Sequence, residues 1–224
     1  MTNSFGGSRR AICPIGPCSS PTYRLPAVDV LIVGGRPRRV RTCCVRCCFG
    51  HPAHPQHLQH AVALAVIAAT RHFDVGNVWL KWPNDVIVVE PDTSPRAEYT
   101  KLAGMLSTMT ADGSVIIGTG VNINWSPVGA TSLATIVGHP LSAIDVLRAM
   151  LSSLHDLLVC SEDELTDRYR THLSTIGRHV RVELPSREVV TGRAVGVSPD
   201  GSLEVVDECA ITHRFHAGDV VHLR

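Results

Sequence analysis

Between Leu58 and Phe73 the chain is apolar almost all the way round and rich in alanine, the pattern of a helix buried on every side. The period then changes to that of strands. Val78–Trp82, Val86–Glu90, a run around Leu102–Thr110 and Ser114–Ile123 are short apolar stretches, and Asp112-Gly113 between the last two is a hairpin signal because glycine accepts positive φ. A second helix is predicted from Ser142: Pro140 precedes it, Ser142 and Asp145 make a capping pair, and Ile144, Leu147, Leu151, Leu154 and Leu158 form the stripe expected to face the core. A third helix, Glu162–Leu173, is shorter and more polar, with Tyr169 marking its inner face. After Gly177 the rest alternates as strands: Val180, Val182 and Leu184, then Val190–Val197, the turn Pro199-Asp200-Gly201, Leu203–Val206 and Phe215–Leu223. These four or five short strands predict a small β-barrel, which reads as a structural or docking module because it holds no cluster of catalytic residue types.

Residues 1–56 resist such a reading. They are rich in Gly, Pro, Arg, Ser and Cys and contain only short apolar runs such as Val28–Val33, so a solvated or disordered segment is expected there. Six of the eight cysteines fall in this part, and so does the basic charge: the first fifty residues carry +7, the remainder −6. A nucleic-acid arm is disfavoured because Arg36-Pro37-Arg38-Arg39-Val40-Arg41 has little aromatic interleaving for base stacking. Cys44 and Cys47 with His51 and His54 are metal ligands in type, but the pairs lie too close together for a finger to fold between them, and no metal site is expected.

Composition narrows the class. A chain of 224 residues with 44% hydrophobic and 18% charged residues is an ordinary globular protein. Its longest apolar run, Ala61–Ala69, is far short of the roughly 20 residues a bilayer span needs. No export signal is visible, so a cytoplasmic protein is expected. Cations are spelled almost always as arginine: there are nineteen arginines and two lysines, Lys81 and Lys101. Lysine is a compact, hydrated point charge suited to a single oxygen of a phosphate or carboxylate, so the pair suggests an anionic ligand. Lys81 opens Lys81-Trp82-Pro83-Asn84-Asp85, a strand exit that delivers an amide and a carboxylate. Such a turn alone is more often structural, with Asn84 or Asp85 bonding backbone. Gly118-Thr119-Gly120-Val121-Asn122 puts two glycines on a strand, where they weaken packing unless something approaches the backbone.

Taken in order, these segments resemble the biotin protein ligases, whose fold is shared with lipoate ligases. The resemblance runs from about Leu58 to Arg224 and is carried by Lys81-Trp82-Pro83-Asn84-Asp85, Lys101-Leu102-Ala103-Gly104-Met105-Leu106, Gly118 through Asn124, Ala130-Thr131-Ser132-Leu133 and the terminal Ala217-Gly218-Asp219-Val220-Val221-His222-Leu223-Arg224. It implies an α+β protein: a mixed β-sheet catalytic domain with packed helices over residues 57–176 and an SH3-like β-barrel over 177–224, preceded by an atypical segment, 1–56. It also implies that biotin and ATP, with Mg2+, give biotinyl-adenylate, and that the biotinyl group then passes to a lysine of a biotin carboxyl carrier domain. Lys101 and Asp85 are the implied catalytic residues. Lys101, Gly104 and Trp82 would hold biotin, and Lys81, Asn84, Asp85, Gly118, Gly120 and Asn122 would hold ATP. No DNA and no membrane are expected as partners, and a homodimer is compatible with the resemblance.

The family also carries, upstream, a Ser-Thr-Asn turn and a Gly-Arg-Gly-Arg-x-Gly-Arg loop that wrap biotin and the adenylate. Neither is present here; Gly34-Gly35-Arg36-Pro37-Arg38-Arg39 is the nearest segment, and its proline removes a backbone donor. Residues 1–56 are thus either a divergent start or a stretch read in a frame other than a ligase's. A catalytically impaired ligase-like protein and a lipoate-type ligase stand as alternatives.

Overall fold

The computed structural model describes residues 27–33, 42–49, 55–89 and 99–223, and its fold class is the expected α+β. A six-stranded sheet is built from β1 (Ala27–Val33), β2 (Thr42–Phe49), β3 (Val78–Lys81), β4 (Asp85–Val89), β5 (Tyr99–Met109) and β6 (Val115–Asn122), in the order β1-β2-β6-β5-β4-β3. Its described pairings are antiparallel throughout, where a mixed sheet was expected. The reason is local: β3–β4, β4–β5 and β5–β6 are sequential pairs, and the Asp112-Gly113 turn closes the last of them with Gly113 at φ 80°.

β1 and β2 correct the reading of residues 1–56, since 27–33 and 42–49 are strands of the sheet. In β2, Val45, Cys47 and Phe49 are buried while Arg46 is exposed, a period of two that was hidden by treating cysteine as a ligand rather than as a small hydrophobe. Burial pushes the Cys47 thiol up to about 12, with Cys48 adding to the shift, so this sulfur is an inert packing atom. The Gly34–Arg41 segment and His51 and His54 lie outside the described residues.

Helix α1 (Pro55–Arg71) is buried from His60 through Ile67 because it is sandwiched between the sheet and two further helices, α3 (Ala143–Leu157) and α4 (Glu162–His172). Only alanine-rich turns allow neighbours to approach from every side. A one-turn helix, α2 (Leu133–Val137), is capped by Ser132, whose hydroxyl accepts from the Thr135 N–H. Ser142 caps α3 as expected, but the buried stripe is Ala143, Val146, Met150, Leu154 and Leu157, and Ile144 is 53% exposed. The predicted stripe overlaps the buried one: Leu154 belongs to both and Leu147 and Leu158 are half-buried against the core, but Ile144 faces solvent because counting only large branched side chains passed over Ala143 and Met150.

The C-terminal strands β7 (His179–Glu183), β8 (Val189–Val197), β9 (Leu203–Val206), β10 (Thr212–Phe215) and β11 (Asp219–His222) form a second antiparallel sheet, order β10-β9-β8-β7-β11. Phe215–Leu223, expected as one strand, divides into β10 and β11, with Gly218 between them at φ 152°. The sheet is open: β10 and β11 are its two edges, so the expected barrel does not close among the described pairings.

His60 joins α1 to α4. It is 3% exposed, and its ring stacks on Tyr169 at 3.9 Å between centroids. Burial, with His57 and Arg170 acting in the same direction, pulls its pKa down to about 3.

Two predictions follow from this packing. Leu154→Ala is expected to cost about 2–4 kcal/mol in urea unfolding, whereas Ile144→Ala stays within about 0.5, which tests the phase of α3 directly. The unfolded chain protonates His60 near its ordinary value of 6.5, but the folded protein does so only near 3. Unfolded protein therefore binds more protons in that window, and stability falls as pH drops below 6.5, by at most about 1.4 kcal/mol per unit from this group. His60→Phe, which keeps a ring against Tyr169, should reduce that loss when urea midpoints are compared at neutral and mildly acid pH.

Candidate functional site

The site grows from one row of paired residues across the large sheet. Asp85 at the start of β4 pairs with Gly104 of β5, Gly104 pairs with Gly120 of β6, and Gly120 pairs with Cys44 of β2. In the next row Leu106 pairs with Gly118, and Gly118 pairs with Arg46. On β6 Val115, Ile117, Thr119 and Val121 are buried under the helices, so Gly118, Gly120 and Asn122 belong to the opposite face. That face is bare of side chains where two glycines sit side by side.

Lys101 reaches over this gap. Its Nζ lies 2.6 Å from Asp85 Oδ1. A Cβ placed on Gly104 would stand 3.0 Å from Lys101 Cε and 3.1 Å from Nζ, so the glycine is what lets the lysine stem cross the strand. The Lys101 side chain is half exposed, and a pair of that kind is worth only about 0.2–1 kcal/mol. An incoming anion therefore displaces the carboxylate from the ammonium at little cost.

Beside the pair is a cavity of about 220 Å³ lined by Lys101, Ala103, Gly104, Gly120, Asn122, Pro127 and Ala130. That is smaller than the roughly 300 Å³ at the lower end of small-molecule pockets, enough for one ring system or one phosphate of a larger ligand. Its rim is fixed by backbone contacts: the Thr131 N–H donates to Lys101 O at 3.0 Å, and Asn122 Nδ2 donates to Thr131 O at 3.1 Å.

The other sequence-nominated residues divide. Asn84 Nδ2 donates to Met105 O at 2.7 Å while the Met105 N–H donates to Asn84 O at 2.9 Å, so Asn84 ties the turn to β5. Lys81 is 8% exposed, with its Nζ 5.9 Å from the centre of the Tyr99 ring. Burial lowers its pKa, an effect opposed by the Asp85 and Asp219 carboxylates and reinforced by Lys101. It pairs with Asp85 across the β3–β4 hairpin and does not line the cavity. Trp82 departs furthest from expectation: it is 2% exposed and its Nε1 donates to Gly201 O of the C-terminal sheet at 3.0 Å, so the structure does not bring it to the cavity. The physical reason is that β3 ends at Lys81, so Trp82 already belongs to the β3–β4 turn, where its backbone N–H is held by Thr175 Oγ1 and its indole N–H by Gly201 O on the C-terminal side. Arg46 was missed; it is exposed and sits in register beside Gly118, and the signal for it was the Val45, Cys47, Phe49 alternation around it. Among the described residues no cluster of three or more His, Cys, Asp or Glu is placed to hold a metal ion.

Known proteins are similar to this chain in sequence and in fold. Residues 175–223 match the family described as biotin protein ligase C terminal domain. A biotin–[acetyl-CoA-carboxylase] ligase of Mycobacterium tuberculosis is 34% identical over 152 residues, 65% of this chain and 53% of that protein. The chain thus spans about half the length of this curated relative. The biotin protein ligase of Aquifex aeolicus superposes with a TM-score of 0.69 at 20% identity, covering 83% of this chain and 84% of its own. The same enzyme in complex with biotin and ATP gives 0.67 at 22% identity, covering 83% and 80%. The chain has the biotin protein ligase fold. Its open C-terminal sheet falls within the matched ligase C-terminal domain, and the Lys101–Asp85 pair belongs to the large sheet of the ligase-like part.

Gly104→Ala is the direct test of the geometry. The added methyl crowds the flexible end of Lys101 and only touches Asp85 Oδ1, at an ordinary contact distance of 3.6 Å, so the ammonium should move off Asp85 while the melting temperature changes by no more than about 3 °C. The Asp85 carboxyl carbon-13 shift should change on substitution. An unchanged shift would show that the glycine does not govern the pair.

Proposed function

We propose that this protein is an ATP-dependent biotin protein ligase that activates biotin as biotinyl-adenylate and transfers it to a lysine of a biotin carboxyl carrier domain. The observation that supports this most is Lys101 lying across Gly104 onto Asp85 at the mouth of the glycine-floored cavity. The 34% identity to an acetyl-CoA-carboxylase ligase and the likeness to a ligase solved with biotin and ATP support the same reading.

The two steps use the pair in turn. In the first, a biotin carboxylate oxygen attacks the α-phosphorus of ATP, a C–O–P linkage forms and pyrophosphate leaves with the electrons of the broken P–O bond. Two anions must approach each other, and Lys101, drawn off Asp85, screens their repulsion. In the second, a carrier lysine amine attacks the acyl carbon, the new C–N bond replaces the bond to phosphate, and AMP departs. Asp85, freed of its partner, accepts the proton the amine loses. Gly104, Gly118 and Gly120 let the ligand lie against backbone, and Asn122 presents an amide at the rim. Lys81 and Asn84 act from behind by holding Asp85 and β5 in place. Asp85 is the carboxylate here that could help hold Mg2+ accompanying ATP, and the ion would supply further screening of phosphate charge. We place the reaction in the cytoplasm, with a homodimer compatible with this reading and neither DNA nor a membrane proposed as a partner; among the described residues no helix is long and apolar enough to cross a membrane.

The test is biotin-dependent exchange of labelled pyrophosphate into ATP. Lys101→Ala should reduce exchange by about 10²-fold or more while leaving the melting temperature nearly unchanged, because a half-exposed pair contributes little to folding. Lys101→Arg should also fail, since its planar fork misplaces the charge. Exchange retained in both variants would remove Lys101 from the mechanism, and absence of exchange in the native protein would remove the ligase reading.

A further inference from the structure

The side chain that the cavity does not use raises a separate question. Trp82 adjoins Pro83, Asn84 and Asp85, yet its contacts run the other way. Its backbone N–H donates to Thr175 Oγ1 at 3.1 Å, and Thr175 is fully buried. Its indole N–H donates to Gly201 O at 3.0 Å. The acceptor belongs to a rigid turn: the Gly201 N–H donates to Ser198 O, the Ser198 N–H to Ser202 O, and Asp200 Oδ1 accepts from both the Ser202 N–H and its hydroxyl. Gly201 stands at φ 81°, a conformation that aims its carbonyl without strain.

The turn that carries Trp82 is held from other sides as well. Gln59 of α1 donates to Pro83 O at 3.1 Å while its own oxygen accepts from the Ser107 hydroxyl of β5 at 2.6 Å. Ser174, just before the C-terminal sheet, donates through both its N–H and its hydroxyl to Leu80 O at 2.8 Å. The residues that end in Asp85 are therefore suspended between the large sheet and the C-terminal sheet, and the indole N–H is the link from the turn itself to the β8–β9 turn.

We propose that Trp82 is a positioning residue: its hydrogen bond to Gly201 lets the C-terminal sheet set the placement of the Pro83–Asp85 turn, and through it the distance between Asp85 and Lys101. The proposal rests on the ligase reading for its kinetic consequence, but not for its structural one. A buried N–H on a large ring that reaches a partner domain specifies one geometry, because leaving it unpaired is costly. A displacement of the order of an ångström at reacting groups is enough to cost up to about 10²-fold in rate.

The experiment replaces Trp82 by benzothienylalanine, introduced at that position alone, which keeps the ring shape and removes the N–H donor. In pyrophosphate exchange, turnover per folded molecule should fall about tenfold, with KM for ATP and for biotin within about twofold of the native protein. Residue-resolved hydrogen exchange should show the Met105 amide, which donates to Asn84 O, exchanging about tenfold faster, while amides of β9 are unchanged. Thr175→Val, which removes the other acceptor, should move both readouts in the same direction. Turnover within about twofold of native, or an unchanged Met105 amide, overturns the proposal. If the native protein shows no exchange, the ligase reading fails, and the Met105 amide still decides the Trp82 tie by itself.

Discussion

Two glycines standing side by side, Gly104 on β5 and Gly120 on β6, are the constraint on which the rest of the site depends. A side chain at Gly104 would meet the Lys101 stem at 3.0 Å and break its approach to Asp85. Glycine in a strand interior sacrifices packing and chain entropy, and the six-stranded sheet tolerates this because Val115, Ile117, Thr119 and Val121 on the other face of β6 are buried under the helices. One face of the sheet thus supplies the stability that leaves the other bare.

The carboxylate half of the site has a different support. Asp85 opens β4, but its place is set by the residues before it, which fasten to three elements: Trp82 to the C-terminal sheet, Pro83 to α1 through Gln59, and Asn84 to β5. Lys81 adds a buried charge balanced between Asp85 and Asp219. A lysine that is cheap to move thus meets a carboxylate that is held firmly, which suits the proposed mechanism, in which the pair opens to admit an anion and leaves Asp85 available as a base.

Much of this was legible along the chain. The all-round apolar stretch of α1, the Asp112-Gly113 turn, the Ser142 cap and the alternation of β7 are local signals, and the structure follows them. Two of the errors were of one kind. The α3 stripe was placed on Ile144 because large aliphatic residues were counted and Ala143 and Met150 were not. β2 was overlooked because Cys47 was weighed as a ligand, although in the fold it is a fully buried apolar atom group. Both show that which small or ambiguous residue becomes core depends on what covers it.

By itself the sequence determined which chemistry is on offer: two lysines where all other cations are arginine, an Asn-Asp strand exit, and glycines at alternate positions of one strand. These are statements about residue type and period, and period two already assigns Gly118, Gly120 and Asn122 to one face. Only the tertiary structure decided that Lys101 meets Asp85, that Gly104 lies opposite Gly120, and that Trp82 turns from the ligand face to the C-terminal sheet. Strand register and the docking of one sheet on another are set by contacts between residues up to 119 positions apart, and no local pattern encodes such a distance.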